Sequence, residues 1–468
     1  MALLPQARAA PVTVAADVPM MEQVKAEFAH AWQGYRRYAW GHDELRPLTR
    51  TARDWYGQPL LMSPVDALDT LVLMGFTQEA SEARELIATQ LSFDRDIEVK
   101  HFEVVIRLLG GLLSGYELTG DARLLRLADE LGTRLLPAFD SPTGLPFEYV
   151  NLRSGATRGE VSNPAESALI IEYGTLSRLT GKPQYYARAR RALGEIYARR
   201  SKLGLVGERI DVTTGAWTNT SSHIGARIDS YYEYLWKCWQ LFADAGCHAM
   251  WATSSAAALR YYPQQVSGTV WSGQVDMDSG RRTGSEYGAL EAFFPGLLAY
   301  SGHLAQARRL QAASVQMWDV AGIEPDGYDF RARRITDPAY PLRPEIIEST
   351  WYLYRLTADP QYRALGRRLF QDFVRRCRTE SGYAALTDVR SGEQADRMES
   401  FVLAETFKYF YLLFAPADVL DLAQVVLSTE GHPLRREAPA VSRYRPACGG
   451  CANVAASRVD DHHGRSNP

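Results

Sequence analysis

Apolar residues recur along most of the chain at the three- and four-residue spacing of an amphipathic helix, and few segments alternate as strands do. A strongly apolar segment such as VVIRLLGGLLSGYEL repeatedly precedes a short turn, and a more charged segment such as ARLLRLADELGTRLL follows it. The turns carry Thr-Gly-Asp, Thr-Gly-Lys-Pro or Thr-Ala-Asp-Pro. Gly suits a left-handed helix end and Pro suits the start of the next helix. The chain is therefore predicted to be all-α and built from helical hairpins.

These junctions recur at intervals of about sixty residues after a shorter first step. They lie near residues 77, 119, 180, 245, 301, 357 and 416. Each hairpin is too small to bury its own apolar face, so the seven must stack on one another. The apolar helix of each pair is predicted to be inner and the charged helix outer. Because no terminal repeat is obviously polar, the pattern favours a closed ring, and an open superhelical scaffold is the alternative.

Carboxylates occupy unexpected positions near the start of four of the seven predicted inner helices. They are Glu103, Asp229, Glu233, Glu345, Glu348, Glu399 and Glu405. Acids in a first helical turn also cap the helix and offset its dipole, so each one alone fits a structural role. In a closed ring they would converge on one axial pocket, where crowding drives pKa values apart. Such a pocket suits cleavage of a glycosidic bond by paired carboxyl groups, binding of a hard cation such as Ca²⁺, or both.

Composition narrows the classes of partner. The chain has 468 residues, 46% hydrophobic and 23% charged, with a net charge of -3. This charge offers no general attraction to nucleic acid or to acidic membranes, and no apolar run is long enough to span a bilayer. We expect a disordered leader at 1–20, a single domain at 21–435 and a disordered tail at 436–468.

The five cysteines are too few, and odd in number, for a disulfide framework. Cys448 and Cys451 form a CxxC pair near His462 and His463, a combination that also occurs in zinc sites. The surrounding segment is rich in Gly and Ala, which favours an unstructured tail.

Six segments follow one another in a characteristic order, and the middle four carry the acids named above: VDALDTL (65–71), FEVVIRLLGGLLSGYELTGD (102–121), GARIDSYYEYLWK (225–237), LRPEIIESTWYLYRLTAD (342–359), DRMESFVLAETFKYFYLLF (396–414) and STEGHPL (428–434). From about Asp66 to His432 the chain resembles the class I α-1,2-mannosidases, glycoside hydrolase family 47. The resemblance implies a single (α/α)7 barrel, in agreement with the seven junctions. It also implies a Ca²⁺-dependent, inverting exo-α-1,2-mannosidase that acts on mannose-rich glycans.

The resemblance also assigns residues to roles. Glu103 matches the general acid, acting through a water molecule, and Glu345 matches the general base. Asp229 matches a third essential carboxylate whose role is open between these two. Thr429 matches the residue that holds Ca²⁺ through its hydroxyl and its backbone carbonyl. The substrate pocket and the surroundings of the metal are expected to include Arg107, Arg343, Glu348, Glu399, Phe401 and Glu430.

Two departures from the family pattern bear on substrate preference and on the type of family member. Ala289 stands where members commonly have a substrate-contacting His, which leaves affinity and branch preference open. Ala292 stands where eukaryotic members have a cysteine of a conserved disulfide, which favours a bacterial-type member. The alternative function is a catalytically inactive, lectin-like binder of mannose glycans. The partner is expected to be a mannose-containing oligosaccharide, the chain a monomer, and its polymeric substrate favours export to the periplasm or the medium.

Overall fold

The computed structural model describes residues 15–436. The α-helical segments are α1 (Val18–Tyr38), α2 (Met62–Leu73), α3 (Thr77–Gln90), α4 (His101–Val104), α5 (Gly110–Thr119), α6 (Ala122–Leu135), α7 (Ile170–Thr180), α8 (Pro183–Ala198), α9 (Asp229–Phe242), α10 (Ala245–Tyr261), α11 (Phe294–Tyr300), α12 (Leu304–Asp319), α13 (Glu345–Thr357), α14 (Pro360–Cys377) and α15 (Phe407–Phe414). A π-helical turn, Val105–Leu109, joins α4 to α5, and another, Val402–Thr406, leads into α15. Short 3₁₀ turns occupy Leu136–Phe139, Leu290–Phe293 and Ala417–Val419.

The junctions between paired helices form as the sequence predicts. Gly120 ends α5 in the left-handed conformation with φ 73°, and Asp121 then caps α6 by accepting the backbone N–H of Arg123 at 3.0 Å. The same arrangement recurs where Ala358 ends α13 and Asp359 caps α14. Short, well-capped turns of this kind make consecutive helices antiparallel neighbours.

The helices form two concentric layers. The inner helices are α2, the continuous α4–α5 helix, α7, α9, α11, α13 and α15, and they are buried along most of their length. The outer helices are more charged and bury one face only. Each inner helix packs against the next, and α2 packs against the π turn that precedes α15, which closes the ring. The (α/α)7 barrel is confirmed, and the open superhelix is excluded.

The seventh hairpin differs from the sequence prediction. The segment after Pro416 is not an outer helix; it forms a 3₁₀ turn and then an extended strand. The outer partner of α15 is instead α1, whose buried face includes Phe28, Trp32 and Tyr35. Because α1 already covers α15, the later segment is free to turn inward. Helix α1 begins at Val18, so residues 18–20 belong to a helix and not to the predicted leader.

Short strands are more frequent than the sequence pattern indicated. They are β1 (Glu44–Arg46), β2 (Thr51–Arg53), β3 (Glu98–Lys100), β4 (Tyr149–Asn151), β5 (Thr157–Arg158), β6 (Val161–Ser162), β7 (Arg209–Asp211), β8 (Trp217–Asn219), β9 (Ser221–Ser222), β10 (Pro263–Val266), β11 (Thr269–Ser272), β12 (Gln274–Asp276), β13 (Arg282–Gly284), β14 (Glu286–Gly288), β15 (Gly327–Asp329), β16 (Arg334–Asp337), β17 (Leu386–Asp388), β18 (Glu393–Gln394), β19 (Val425–Leu427) and β20 (Pro433–Arg435). At two to four residues each they are too short to show an alternating pattern.

Strands β1 to β18 all lie in the connections that lead from an outer helix to the next inner helix. They pair as small antiparallel sheets, in the orders β1-β2, β3-β4-β5, β6-β7-β8, β9-β12-β13, β10-β11, β14-β15-β16 and β17-β18. Several sheets join strands from different connections, as where Glu98 of β3 pairs with Asn151 of β4. These sheets therefore form one rim of the barrel, at the end where the inner helices begin.

The hairpin β19–β20, here called the plug hairpin, enters the barrel from the opposite end. At its base the backbone N–H of Arg435 donates to Glu117, near the end of α5, at 2.6 Å. Its tip, residues 428–432, lies deeper, where Lys408 of α15 donates to the carbonyl of Gly431 at 2.7 Å. The tip also bonds to α2 and α9, and only a position near the barrel axis allows contact with so many inner helices. The barrel is therefore a pocket closed at its base.

One disulfide bond joins Cys238 of α9 to Cys247 of α10. The sequence analysis expected no disulfide framework, and the bridge forms because the α9–α10 turn brings the two cysteines together. Cys377 is a buried free thiol, and the CxxC pair at 448–451 lies outside the described residues. No helix within residues 15–436 is long and apolar enough to span a membrane.

We expect the Cys238→Ala/Cys247→Ala double variant to lose about 2–3 kcal/mol of unfolding free energy, because the bridge restricts a short loop in the unfolded chain. Urea unfolding with and without reductant measures this loss. Reductant should destabilise the wild-type chain and the Cys377→Ala control, and it should leave the double variant unchanged. An equal effect of reductant on all three would contradict the stabilising role of this bond.

Candidate active site

Glu103 lies at the rim, in the first turn of α4, and its side chain is 24% exposed. Its Oε2 atom accepts a hydrogen bond from Nη2 of Arg107, one helical turn later, at 3.1 Å. Arg107 is buried in the first π turn and also pairs with Glu430 at the tip of the plug hairpin. Arg107 therefore connects the predicted acid, Glu103, to the floor of the pocket.

Aromatic rings enclose the guanidinium groups of this pocket. The Arg107 guanidinium carbon lies 5.4 Å from the ring centre of Trp55 and 5.5 Å from that of Phe401. Arg343 lies 6.0 Å from the same Phe401 ring. Phe401 thus packs between the two arginines that the sequence assigned to substrate binding, and cation–π contacts help to fix their orientation.

Glu345 is the first residue of α13 and is buried at the pocket wall. Burial raises the pKa of its carboxyl to about 7; the Arg343 guanidinium opposes this rise, and the charges of Asp326 and Asp229 add to it. Arg343 is itself held by Asp326, with Nε and Oδ1 3.0 Å apart. The Oε2 atom of Glu345 has no hydrogen-bond partner within residues 15–436, so it is available to a ligand.

Asp229 is the first residue of α9, and burial raises the pKa of its carboxyl to about 7. The backbone N–H of Ser230 opposes this shift, and the charge of Glu233 adds to it. The charge of Asp229 also raises the pKa of Glu345, so these two carboxyl groups interact. Both start inner helices and both have a pKa raised by burial, whereas Glu103, at the start of α4, is paired with a guanidinium.

The backbone is constrained just ahead of both buried acids. Arg227 adopts φ 76° two residues before Asp229, and Leu342 adopts φ 66° three residues before Glu345. Left-handed conformations at non-glycine residues store local strain and are frequent at functional sites. Here they turn the chain sharply from the rim into the inner helix, which points the first side chain of that helix into the barrel.

Thr429 lies at the tip of the plug hairpin, among acidic side chains. Its backbone N–H donates to the hydroxyl of Tyr234 at 3.0 Å, and Tyr234 donates in turn to Glu172 at 2.5 Å. Lys237 donates to the neighbouring carbonyl of Ser428 at 3.4 Å. The tip is therefore held by Tyr234 and Lys237 of α9, and Glu172 of α7 orients Tyr234.

Three further carboxylates surround this tip. Glu233 pairs with Lys237. Burial raises the pKa of Glu348 well above its usual range, and the Glu233 charge raises it further. Burial also raises the pKa of Glu405, together with the charges of Glu345 and Glu348. More carboxyl groups than basic groups are thus buried here, and a cation among them would allow Glu348 and Glu405 to ionise.

Glu399 occupies a different place from the other predicted acids. It pairs with Arg397 at the rim and lies beside Glu44, whose pKa it helps to raise, after burial. Glu399 therefore lies at the edge of the pocket near Phe401. The second acid of the same motif, Glu405, instead lies with Glu233 and Glu348 around the tip.

A model of glycosyl hydrolase family 47 matches residues 27–436. The chain belongs to glycosyl hydrolase family 47. It is therefore a glycoside hydrolase, of a family whose named relatives are α-mannosidases.

Family 47 relatives cover nearly the whole described chain. Alpha-mannosidase I MNS4 of Arabidopsis thaliana is 38% identical over 92% of this chain and 71% of its own length. ER degradation-enhancing alpha-mannosidase-like protein 2 of Homo sapiens is 36% identical over 92% of this chain and 81% of its own. The solved alpha-1,2-mannosidase from Trichoderma reesei matches with a TM-score of 0.84 and 27% identity, over 91% of this chain and all of that one.

Glu405 was noted in the sequence as an acid of an inner helix, but only Glu399 of this pair was assigned to the substrate pocket. Glu399 and Glu405 flank the same apolar run, and a regular helical period does not distinguish them. The π turn at Val402–Thr406 adds a residue to the helical turn and directs Glu405 toward the pocket. Buried Glu172, Tyr234 and Lys237 were missed because each resembles an ordinary core or surface residue in its segment.

The groups around Thr429 fit a hard divalent cation. Within residues 15–436 neither the carbonyl oxygen nor the hydroxyl of Thr429 has a hydrogen-bond partner in the protein. Ca²⁺ prefers oxygen ligands, and surrounding carboxylates commonly bind the water molecules of the ion. Thr429 would supply two of the oxygens, and Glu233, Glu348 and Glu405 would receive hydrogen bonds from the bound water.

Proposed function

We propose that this chain is a Ca²⁺-dependent, inverting exo-α-1,2-mannosidase. The observation that carries the proposal is a group of acids at the starts of α4, α9 and α13: the charge of Asp229 acts on Glu345, and Glu103 is linked through Arg107 to Glu430 at the tip that carries Thr429. The α-1,2 linkage is supported by the similarity to the alpha-1,2-mannosidase from Trichoderma reesei.

The shape of the barrel supports exo action. The plug hairpin closes one end, so a sugar chain can enter only from the rim and only by its terminus. A mannose residue has its 2- and 3-hydroxyls on the same side of the ring, and two adjacent cis hydroxyls can both bind one ion. An ion at the floor would therefore select mannose and orient it with its anomeric carbon toward the rim acids.

Different carboxyl groups are assigned to the general acid and general base roles. Glycosidic cleavage with inversion needs one group to protonate the leaving oxygen and another to remove a proton from the attacking water. Glu103 is assigned to the first role, through a water molecule, because it lies at the rim where the leaving sugar departs. Glu345 is assigned to the second, because its free oxygen can accept a proton and its pKa of about 7 suits a base at neutral pH. Asp229 lies beside this reaction path.

Inversion predicts the anomer that is released first. In α-1,2-mannobiose supplied with Ca²⁺, we expect the β-mannose signal to appear before mutarotation mixes the anomers. Proton NMR during the first minutes of reaction measures it. Initial α-mannose would instead indicate retention, which also requires the two carboxyl groups to be about 5 Å apart and not about 6.5–9.5 Å.

The alternative is a glycan-binding relative without activity. It predicts that the chain binds mannobiose in the presence of Ca²⁺ and releases no mannose. The presence of Glu103, Asp229 and Glu345 in one pocket favours the enzyme.

We also propose that the protein folds in an oxidising compartment after export. The bridge between Cys238 and Cys247 supports this, since structural disulfides are rare in reducing cytosol. A mannose-containing oligosaccharide is the proposed partner.

A further inference from the structure

A buried row of charged side chains joins helix α2 to the tip of the plug hairpin. Asp66, Asp69, Lys408 and His432 are all fully enclosed. Nδ1 of His432 lies 2.7 Å from an oxygen of Asp69, and its Nε2 atom lies 3.3 Å from an oxygen of Asp66. Lys408 lies 2.7 Å from the other oxygen of Asp69. Charges buried this deeply must be paired with one another, because an isolated buried charge is very costly.

Both ring nitrogens of His432 face carboxylate oxygens: Nδ1 is hydrogen-bonded to Asp69, and Nε2 lies within ion-pair distance of Asp66 without a hydrogen bond. These surroundings favour the protonated ring. Burial lowers the pKa of His432, but Asp69 and Asp66 together outweigh burial and raise it. His432 therefore joins two aspartates that would otherwise repel each other.

Asp66 connects this row to the catalytic pocket. Its second oxygen accepts the hydroxyl of Ser400 and lies 3.8 Å from Nη1 of Arg107. Arg107 in turn bonds to Glu103, the proposed acid. One oxygen of Asp66 thus faces His432, and the other faces the side chain that holds Glu103.

We propose that His432 and Asp66 are positioning residues for the reaction, which rests on the proposed mannosidase function. The charge of His432 offsets that of Asp66 on one side, so that the pull of Asp66 on Arg107 stays weak. If the ring were removed, the Asp66 charge would act more strongly on Arg107 and would draw it away from Glu103. The proposed acid would then lose the partner that orients it.

The metal site should be insensitive to this change. Tyr234 bonds to Thr429 and Lys237 bonds to Ser428, and neither side chain contacts Asp66, His432 or Arg107. Within residues 15–436 Arg107 touches the tip only through Glu430, so Ca²⁺ affinity reports the floor at Thr429 separately from the position of Arg107.

Two variants at position 432 separate the two contacts of the ring. The amide of His432→Asn can replace Nδ1 toward Asp69 but is too short to reach Asp66, whereas the amide of His432→Gln can reach Asp66. We expect His432→Asn to lower kcat roughly a hundredfold, with KM and Ca²⁺ affinity changed less than about threefold. His432→Gln should retain about ten times more activity than the Asn variant. Mannose release and calorimetric titration with Ca²⁺ measure these quantities. Equal losses in both variants, or a loss of Ca²⁺ affinity in His432→Asn, would overturn the proposal.

Asp66→Asn provides a second test that does not depend on the stability of the position 432 variants. We expect a similar loss of kcat, and the double variant with His432→Asn should lose no more than about threefold beyond either single change, because both act through Arg107. Losses that multiply would contradict a shared path.

Ser114→Ala is the matched control, since it removes a 2.9 Å hydrogen bond to Asp69 and leaves the contacts of Asp66 and Arg107 in place. It should lower Tm and keep kcat within about twofold; a kcat loss as large as that of Asp66→Asn would assign the whole network a purely structural role.

If the wild-type chain releases no mannose, the proposed function and this inference both fail. If it does and the position 432 variants are equal, only the inference fails.

Discussion

Replacing Glu345 by Gln should lower kcat by roughly a thousandfold, because the amide cannot take the proton of the attacking water. KM should change little, since the amide keeps the size of the side chain and can still hydrogen-bond the sugar. The measurement is initial mannose release from α-1,2-mannobiose at saturating Ca²⁺. Retention of more than about a tenth of the wild-type kcat would exclude Glu345 as the base.

The control for this variant is Glu117→Gln. Glu117 is also a carboxylate on an inner helix, but it lies at the opposite end of the barrel, 2.6 Å from Arg178. Its loss should reduce stability and leave kcat unchanged.

The pH profile adds a further check: burial raises the pKa of Glu345 to about 7, so the ionised, active base becomes more abundant as pH rises toward and through 7. The wild-type kcat/KM should therefore increase over that interval.

Replacing Thr429 by Val should weaken Ca²⁺ binding by about ten- to a hundredfold, because it removes one oxygen ligand and keeps the shape of the side chain. Isothermal titration with Ca²⁺ measures the affinity directly, without reference to activity. Activity should fall in parallel at low Ca²⁺ and recover in part at high Ca²⁺. Complete chelation of Ca²⁺ should abolish activity in the wild-type chain.

Thr429→Ser is the matched control, because serine keeps the hydroxyl and the backbone carbonyl and loses only a methyl group. It should bind Ca²⁺ nearly as well as threonine does. Unchanged affinity in Thr429→Val, or activity that survives full removal of Ca²⁺, would show that this hydroxyl does not hold the ion.

The sequence predicted which helices are inner and which are outer more reliably than it predicted which helices pack against each other. The apolar segments ending at Thr119 and Thr357 became inner helices, because continuous apolarity reports burial on all sides. The same periodicity was wrong after Pro416, where a helix was expected and the chain forms the strand that begins the plug hairpin. The local pattern does not record that α1, nearly four hundred residues earlier, already covers α15.

Some site residues could likewise be identified from the sequence, and others could not. Glu103, Asp229 and Glu345 could be singled out from sequence because acids at the start of apolar helices are unusual. Glu399 was assigned to the pocket and Glu405 was not, because the π turn that contains Glu405 is a departure from regular helical geometry that the sequence does not show. Thr429, in the motif STEGHPL, was identified only because this motif resembles one of the family.

The sequence by itself determined that this protein is a ring of helical hairpins with acids at the start of its inner helices. Apolar periodicity, capping residues and turn glycines act over a few residues, so they can be read locally. Only the tertiary structure decided that α1 closes the ring, that β19–β20 closes the floor and that His432 joins Asp66 to Asp69. Those contacts link residues hundreds of positions apart, and their energies come from desolvation and charge pairing that exist only once the barrel has formed.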